Sequence, residues 1–214
     1  LTLVTSLGSV MLPRVSGLLS SGDHKAVNKM HELSFLIYNL VIFPIIAGLL
    51  IVDKDFVSFF LGKDFQEAYL AIAIMVFRMF FIGWTNIMGI QILIPHNKHR
   101  EFMLSTTIPA VVSVGLNLLL IPPFGFVGAS IVSVLTEALV WIIQLNFSRR
   151  FIKDVSILPA MSKIILASVV MFVQFKPMLN VAVDGLVGAI IYIVLIIVLR
   201  VVDMKDLKQQ LMKN

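Results

Sequence analysis

Residues 117–137 read Asn117-Leu-Leu-Leu-Ile-Pro122-Pro123-Phe124-Gly125-Phe-Val-Gly128-Ala129-Ser130-Ile-Val-Ser133-Val-Leu-Thr-Glu137. Two apolar runs, Phe102–Ile121 and Phe126–Phe147, meet there with almost no loop between them. Proline removes a helical donor, and glycine adopts backbone angles that other residues avoid, so Pro-Pro-Phe-Gly ends one helix and turns the chain. Each flanking run has about the 20 apolar residues that crossing a hydrocarbon layer requires. The stretch therefore predicts an antiparallel transmembrane hairpin.

Runs of the same kind recur at Leu33–Val52, Tyr69–Leu93, Ile164–Phe175 and Val181–Val202. The run at Ile164–Phe175 is short between Lys163 and Lys176, and either borrows residues from Leu158–Ser162 or tilts. Leu1–Leu12 reads as the tail of a cut helix. The chain opens on Leu1 without a signal peptide, and the native protein is expected to continue upstream. Of the 214 residues, 59% are hydrophobic and 14% charged, and the mean hydropathy is +1.00. A water-soluble domain is about half apolar and about a quarter charged. Soluble buried helices would also need a polar outer surface, which these runs lack. The expected fold class is all-α, a polytopic transmembrane helix bundle of six full spans plus a truncated N-terminal one.

The formal charge of +5 does not indicate nucleic acid, because the basic residues sit in short clusters between apolar runs. Arg14, Lys25 and Lys29 precede the first full span. Lys98 and Arg100 follow the second, and Arg149, Arg150, Lys153 and Lys163 follow the fourth. Arg200, Lys205, Lys208 and Lys213 close the chain. The alternate loops hold only Lys54, Lys63 and Lys176. By the positive-inside rule the rich loops and the C-terminus are cytoplasmic. Asp53–Ala68 mixes Phe56, Phe59, Phe60, Leu61 and Phe65 with charges, and is expected to lie along the outer interface.

Arg78 and Glu137 are charges inside spans, each costing roughly 2.5–3.5 kcal/mol at mid-helix on insertion scales. On a helical wheel Arg78 shares a stripe with Thr85 and Gly89, with Asn86 nearby. Glu137 shares one with Ser130, Ser133, Trp141 and Gln144. Thr106, Ser113 and Asn117 line a third. These polar seams are either interhelical glue or the lining of a substrate and ion pathway, and Arg78 and Glu137 either contact cargo or pair with each other. Pro44 and Pro109 lie within spans and are expected to kink them. The eleven methionines and sixteen phenylalanines read as lipid-facing filler. No catalytic constellation, Walker loop or nucleotide loop is present, and no cofactor is implied. Cysteine is absent. His24, His31, His96 and His99 fall in predicted loops without a carboxylate cluster, so they read as solvated rather than as metal ligands.

The 117–137 stretch resembles a hallmark of bacterial polysaccharide repeat-unit flippases, in the superfamily that also holds multidrug/toxin extruders and peptidoglycan-precursor flippases. Three further stretches agree in order and spacing: Val10-Met-Leu-Pro13-Arg14-Val-Ser16, Phe60-Leu-Gly62-Lys-Asp-Phe65, and Gln91-Ile-Leu leading to Lys98. The resemblance implies the C-terminal half of a fourteen-helix, MATE-like two-lobed transporter. Residues 1–147 would form one lobe, and 148–214 two trailing helices and a cytoplasmic tail. It implies a lipid-pyrophosphate-linked oligosaccharide as cargo in the bacterial inner membrane, alternating access, H+ or Na+ coupling, and association with polysaccharide polymerase machinery. Arg78 would face the pyrophosphate, and Glu137 would carry a proton or partner Arg78. A drug/toxin extruder shares the fold. A membrane glycosyltransferase, polymerase or ligase fits less well, since the outer loops are short, and a transport-inactive scaffold leaves the two intramembrane charges unexplained.

Overall fold

The computed structural model describes residues 2–50, 57, 58, 61–174, 181–199 and 201. Lys54, Lys176, the C-terminal basic residues from Arg200 onward, and Phe56, Phe59 and Phe60 of the outer segment lie outside this set. Every long described element is helical. In order they are α1 (Thr2–Ser20), α2 (His24–Leu49), a single 3-10 turn (Lys63–Phe65) and α3 (Ala68–Asn86), which runs into a π turn (Ile87–Leu93). Then come α4 (His99–Ser148), α5 (Leu158–Gln174) and α6 (Val181–Val198).

Two boundaries depart from the sequence reading. α1 passes through Pro13 and continues to Ser20, beyond the stub expected at Leu1–Leu12. Ser20 and Ser21 donate their hydroxyls to Gly17 O (2.7 Å) and Leu18 O (3.0 Å), and Gly22 at φ 75° ends the turn. α2 starts at His24 rather than Leu33, because Asp23 caps it by accepting from Ala26 N at 3.0 Å. Hydropathy marks the part of a helix that suits hydrocarbon, whereas the cap marks where the helix begins. Three of the four histidines consequently leave the loops. His24 and His99 open α2 and α4, and His31 is fully buried within α2. Asp184 also belongs to the last apolar run, and its backbone falls within α6.

Helical geometry is assigned through all of α4 except Gly125, at φ 53° and ψ −131°. A straight helix of 50 residues would be about 75 Å long, against about 30 Å of hydrocarbon. It is not straight. Ser105 and Gln144 would stand about 58 Å apart along one axis, yet their side chains bond at 3.2 Å. A Cβ built on Gly128 would sit 2.1 Å from Leu120 O, so the two arms touch immediately beside the turn. The expected hairpin forms, and Gly125 is its vertex. Pro109 lies within the helical backbone of the first arm, and Pro44 within α2.

α3 packs chiefly on the α4 hairpin, while α2 packs on α1, α3 and α5. The main core joins Phe35, Tyr38 and Ile42 of α2 to Trp84 of α3 and to Ile87, Met88 and Ile92 of the π turn. Tyr38 lies so close to α3 that a Cβ on Gly83 would stand 1.8 Å from its ring. A second cluster ties Ala47 to Ala167 and Met171 of α5 and Tyr192 of α6, and Tyr192 donates to Leu40 O at 2.7 Å. Polarity is inverted relative to a water-soluble bundle: Leu118 and Leu119 are 73% and 70% exposed, whereas Gln91 and Gln144 are 0% and 1% exposed. Among the described residues three helices, α2, α3 with its π turn, and α4, are long and apolar enough to cross a membrane. The fold of α4 gives it two arms of crossing length. α5 begins at Leu158, where the short fifth run was expected to borrow residues.

The hairpin makes a prediction at three glycines. Gly125→Ala should cost about 1–3 kcal/mol from backbone strain. Gly128→Ala should cost a similar amount by forcing the arms apart. Gly115→Ala, where a Cβ meets nothing within 4 Å, should be neutral or add up to about 1 kcal/mol. Denaturant unfolding in detergent micelles would rank them, and equal effects at the three sites would reject the hairpin packing.

Candidate functional site

The reversal at Gly125 lays the returning arm of α4 against α3 and sets Glu137 opposite Arg78. The guanidinium Nη2 donates to Glu137 Oε1 at 3.0 Å, with the two side chains 35% and 20% exposed. Arg78 Nε is buried without a partner. Arg78 also borders an apolar cleft of about 330 Å³ between α2 and α3. Tyr38, Ile42, Met75, Met79 and Ile82 are among its walls, and Arg78 is its charged member.

Beyond the ion pair an aromatic layer fills the bundle. Trp84 and Trp141 meet edge to face at 6.3 Å, and Phe80 lies 5.3 Å from Trp84. Trp84 Nε1 donates to Asn39 Oδ1 at 3.1 Å, so a buried amide from α2 holds the ring. Next comes the π turn. A Cβ on Gly89 would collide with the Phe102 ring at 2.5 Å, so glycine is what lets α4 approach. Gln144 Nε2 donates to Ser105 Oγ beside it. On the opposite face, Ser34 Oγ donates to Gln91 Oε1 at 2.6 Å, and His31 Nε2 lies 3.3 Å from Gln91 O.

One end of the bundle gathers cationic and aromatic groups. The His96 ring stacks on Phe151 at 4.0 Å, and Arg150 lies 4.6 Å above that ring. Glu32 of α2 accepts from Ser156 N at 2.8 Å at the same end. The loops after α1, after the π turn and after α4 thus lie together, as their shared basic character implies. Burial is the largest influence on His96 and holds its imidazole below the ordinary histidine value of 6.5. Its bond to Ile92 O opposes this, while His24 and Arg150 reinforce it. Because its pKa is depressed on folding, the stability linked to His96 is present above pH 6.5 and declines as pH falls through the folded value.

Arg78 and Glu137 therefore meet, and Gln144 joins the two arms of α4. Thr85 is buried, but its hydroxyl bonds Ile82 O of its own helix. Asn117 likewise donates to Ser113 O, and both Asn117 and Ser133 are half-buried. In the sequence Asn39 and Ser34 have no assigned role, Gln91 stands only as part of the Gln91-Ile-Leu motif, and His31 reads as a solvated loop residue. Their signal was there in two uncharged amides interrupting apolar runs, less conspicuous than a charge.

No family model matches the chain, and no solved structure matches it. It is similar to an uncharacterized membrane protein of Methanocaldococcus jannaschii, 26% identical over 97% of this chain and 42% of the relative. It is also similar to an Escherichia coli K12 protein named "Putative O-antigen transporter", 27% identical over 69% of this chain and 35% of the relative. The chain spans less than half the length of these curated relatives. Their names and the helix lengths support a multi-pass membrane protein, and neither name is that of an enzyme.

The ion pair should behave as a coupled unit. Arg78→Gln or Glu137→Gln alone leaves a charge unpaired in an apolar layer and should cost about 1–3 kcal/mol, while the double variant should lose less than the sum. Strict additivity in unfolding measurements would show that the two side chains do not interact.

Proposed function

We propose that the chain is one lobe, residues 1–147, and two trailing helices, residues 148–214, of a MATE-like two-lobed flippase. Its cargo is a lipid-pyrophosphate-linked oligosaccharide, carried from the cytoplasmic to the outer leaflet of the cell membrane for surface polysaccharide, with H+ or Na+ coupling. In this reading the basic loops face the cytoplasm, where polysaccharide polymerase machinery is a natural neighbour. The observation that carries it is the 27% identity with the E. coli relative, maintained over 158 residues.

The ion pair supports it physically. A pyrophosphate entering an apolar layer needs a cation, and a bare guanidinium waiting there would be expensive. Glu137 holds Arg78 while the site is empty. An arriving phosphate replaces the carboxylate, one anion for another, and Arg78 keeps a partner at each stage. The sugar head passes between the lobes while the lipid stays in the bilayer, and an apolar cleft beside Arg78 suits a cargo that is apolar next to its charge. Thr85, Asn117, Ser133 and Gln144 contribute neutral polar groups to the pathway.

Deleting the full-length gene should abolish surface polysaccharide and accumulate lipid-linked repeat units; unchanged polymer rejects the reading. At the level of residues, exchanging the charges as Arg78→Glu with Glu137→Arg should restore folding yet reduce transport at least about tenfold, since a contact worth 1.4 kcal/mol is a factor of ten. Normal transport by the exchanged protein would remove both charges from contact with cargo.

A further inference from the structure

A buried group that neither the ion pair nor the cargo pathway uses lies against the π turn. His31 lies on α2 at 0% exposure, pressed against Gln91, which is also 0% exposed. Its Nε2 is 3.3 Å from Gln91 O. A carbonyl can only accept, so Nε2 carries the hydrogen and Nδ1 carries a lone pair. That Nδ1 is buried and has no partner. Ser34 donates to Gln91 Oε1 at 2.6 Å and fixes the amide, leaving Gln91 Nε2 buried and equally without a partner. Two orphaned polar atoms thus stand where α2 meets the π turn. Native interiors satisfy most such atoms, and those left over call for an explanation.

We propose that His31 is a proton-binding site whose occupancy controls the seating of α2 on the π turn. The proton adds to the Nδ1 lone pair and converts the imidazole to imidazolium, with no other bond made or broken. The Nε2–H bond to Gln91 O persists, but the new Nδ1–H has no acceptor in the closed arrangement. The His96 ring, 6.5 Å away in the turn before α4, is itself titratable and has His24 and Arg150 as electrostatic neighbours.

Among the described residues no carboxylate lies within ion-pair distance of His31. Glu32, next in sequence, is bonded to Ser156 N, and Glu137 on α4 is paired with Arg78 of α3. On the elements packed against α2, the other described charges include Arg14 of α1 and Lys163 of α5, both cationic. The charged ring is relieved when α2 moves off the π turn and opens Nδ1 to an acceptor. A π turn suits such a joint, because its wider backbone spacing is a local departure from α-helical packing. This site requires no assumption about cargo and stands or falls apart from the flippase reading.

The test uses the full chain in lipid nanodiscs with 15N-labelled histidine, titrated from pH 8 to about pH 3.5, alongside thermal unfolding of the same samples. At pH 8, His31 should show the Nε2–H tautomer. On acidification its imidazolium signal should appear together with displaced Ser34 and Gln91 resonances. Between pH 6.5 and the pH at which that signal appears, the Tm of the unsubstituted protein should fall more steeply with acid than that of His31→Gln, by roughly 4 °C per pH unit. His96→Gln should retain most of that extra slope. If His31→Gln does not fold, the histidine titration of the unsubstituted protein decides alone. Equal slopes, an imidazolium that leaves Ser34 and Gln91 undisturbed, or a His31 that stays neutral to about pH 3.5 would each overturn the proposal. So would stabilisation by sodium chloride over choline chloride with no dependence on pH, which would mark a cation site instead.

Discussion

Inside the hydrocarbon layer no water competes for polar atoms, so the backbone can change direction there only where protein covers the exposed groups or at the layer's edge. Gly125 leaves helical geometry at φ 53° and ψ −131°, and that departure decides which side chains of α4 can meet α3. With the chain reversed, Ser105 bonds Gln144 and Glu137 faces Arg78. Without it, the same residues would be strung along an axis more than twice the thickness of the layer. Gly128 makes the reversal tight, since its missing side chain leaves room for the Leu120 carbonyl. The site therefore depends on two glycines that do not touch it.

Given that turn, different forces act on the two faces of the bundle. On the outer face, exposed Val111, Leu118 and Leu119 gain nothing from burial, because lipid is as apolar as they are. Helix association must come instead from close packing and interhelical hydrogen bonds, the latter worth about 0.6–2 kcal/mol each. This is why Tyr38 lies over Gly83 and Phe102 over Gly89, and why Asn39, Gln91 and Gln144 are buried. A single such amide is a weak tie. Asn39 and Gln91, with the Tyr192 hydroxyl on Leu40 O, link α2 to α3, the π turn and α6, and Gln144 ties the two arms of α4 together. The ion pair contributes differently: its Coulomb attraction mostly offsets the cost of placing two charges there. It fixes which residues meet more than it adds to net stability.

How much of this was readable beforehand follows from the same physics. The hairpin was legible because proline and glycine act locally, whatever surrounds them. Arg78 and Glu137 were legible because a charge in an apolar run is expensive. The starts of α2 and the end of α1 were misjudged, since apolarity does not report a cap such as Asp23. The π turn was invisible: it conserves composition and changes only hydrogen-bond spacing. His31 was assigned to a loop for the first reason, and its contact with Gln91 was missed for the second.

The segment from α3 through the π turn satisfies two neighbours at once. Arg78 and Gly89 both face α4, one bonding Glu137 and the other admitting Phe102, which a uniform helical wheel anticipates. Trp84 and Gln91 face α2, where Asn39 and Ser34 await them. Shortening the turn by a residue would rotate everything beyond it by about 100° relative to α3. Gln91 would then leave Ser34 while Arg78 stayed with Glu137. The register of the ion pair and the register of the His31 contact are therefore set on opposite sides of one joint. Glycine at position 89 is what allows that joint to lie flush against α4.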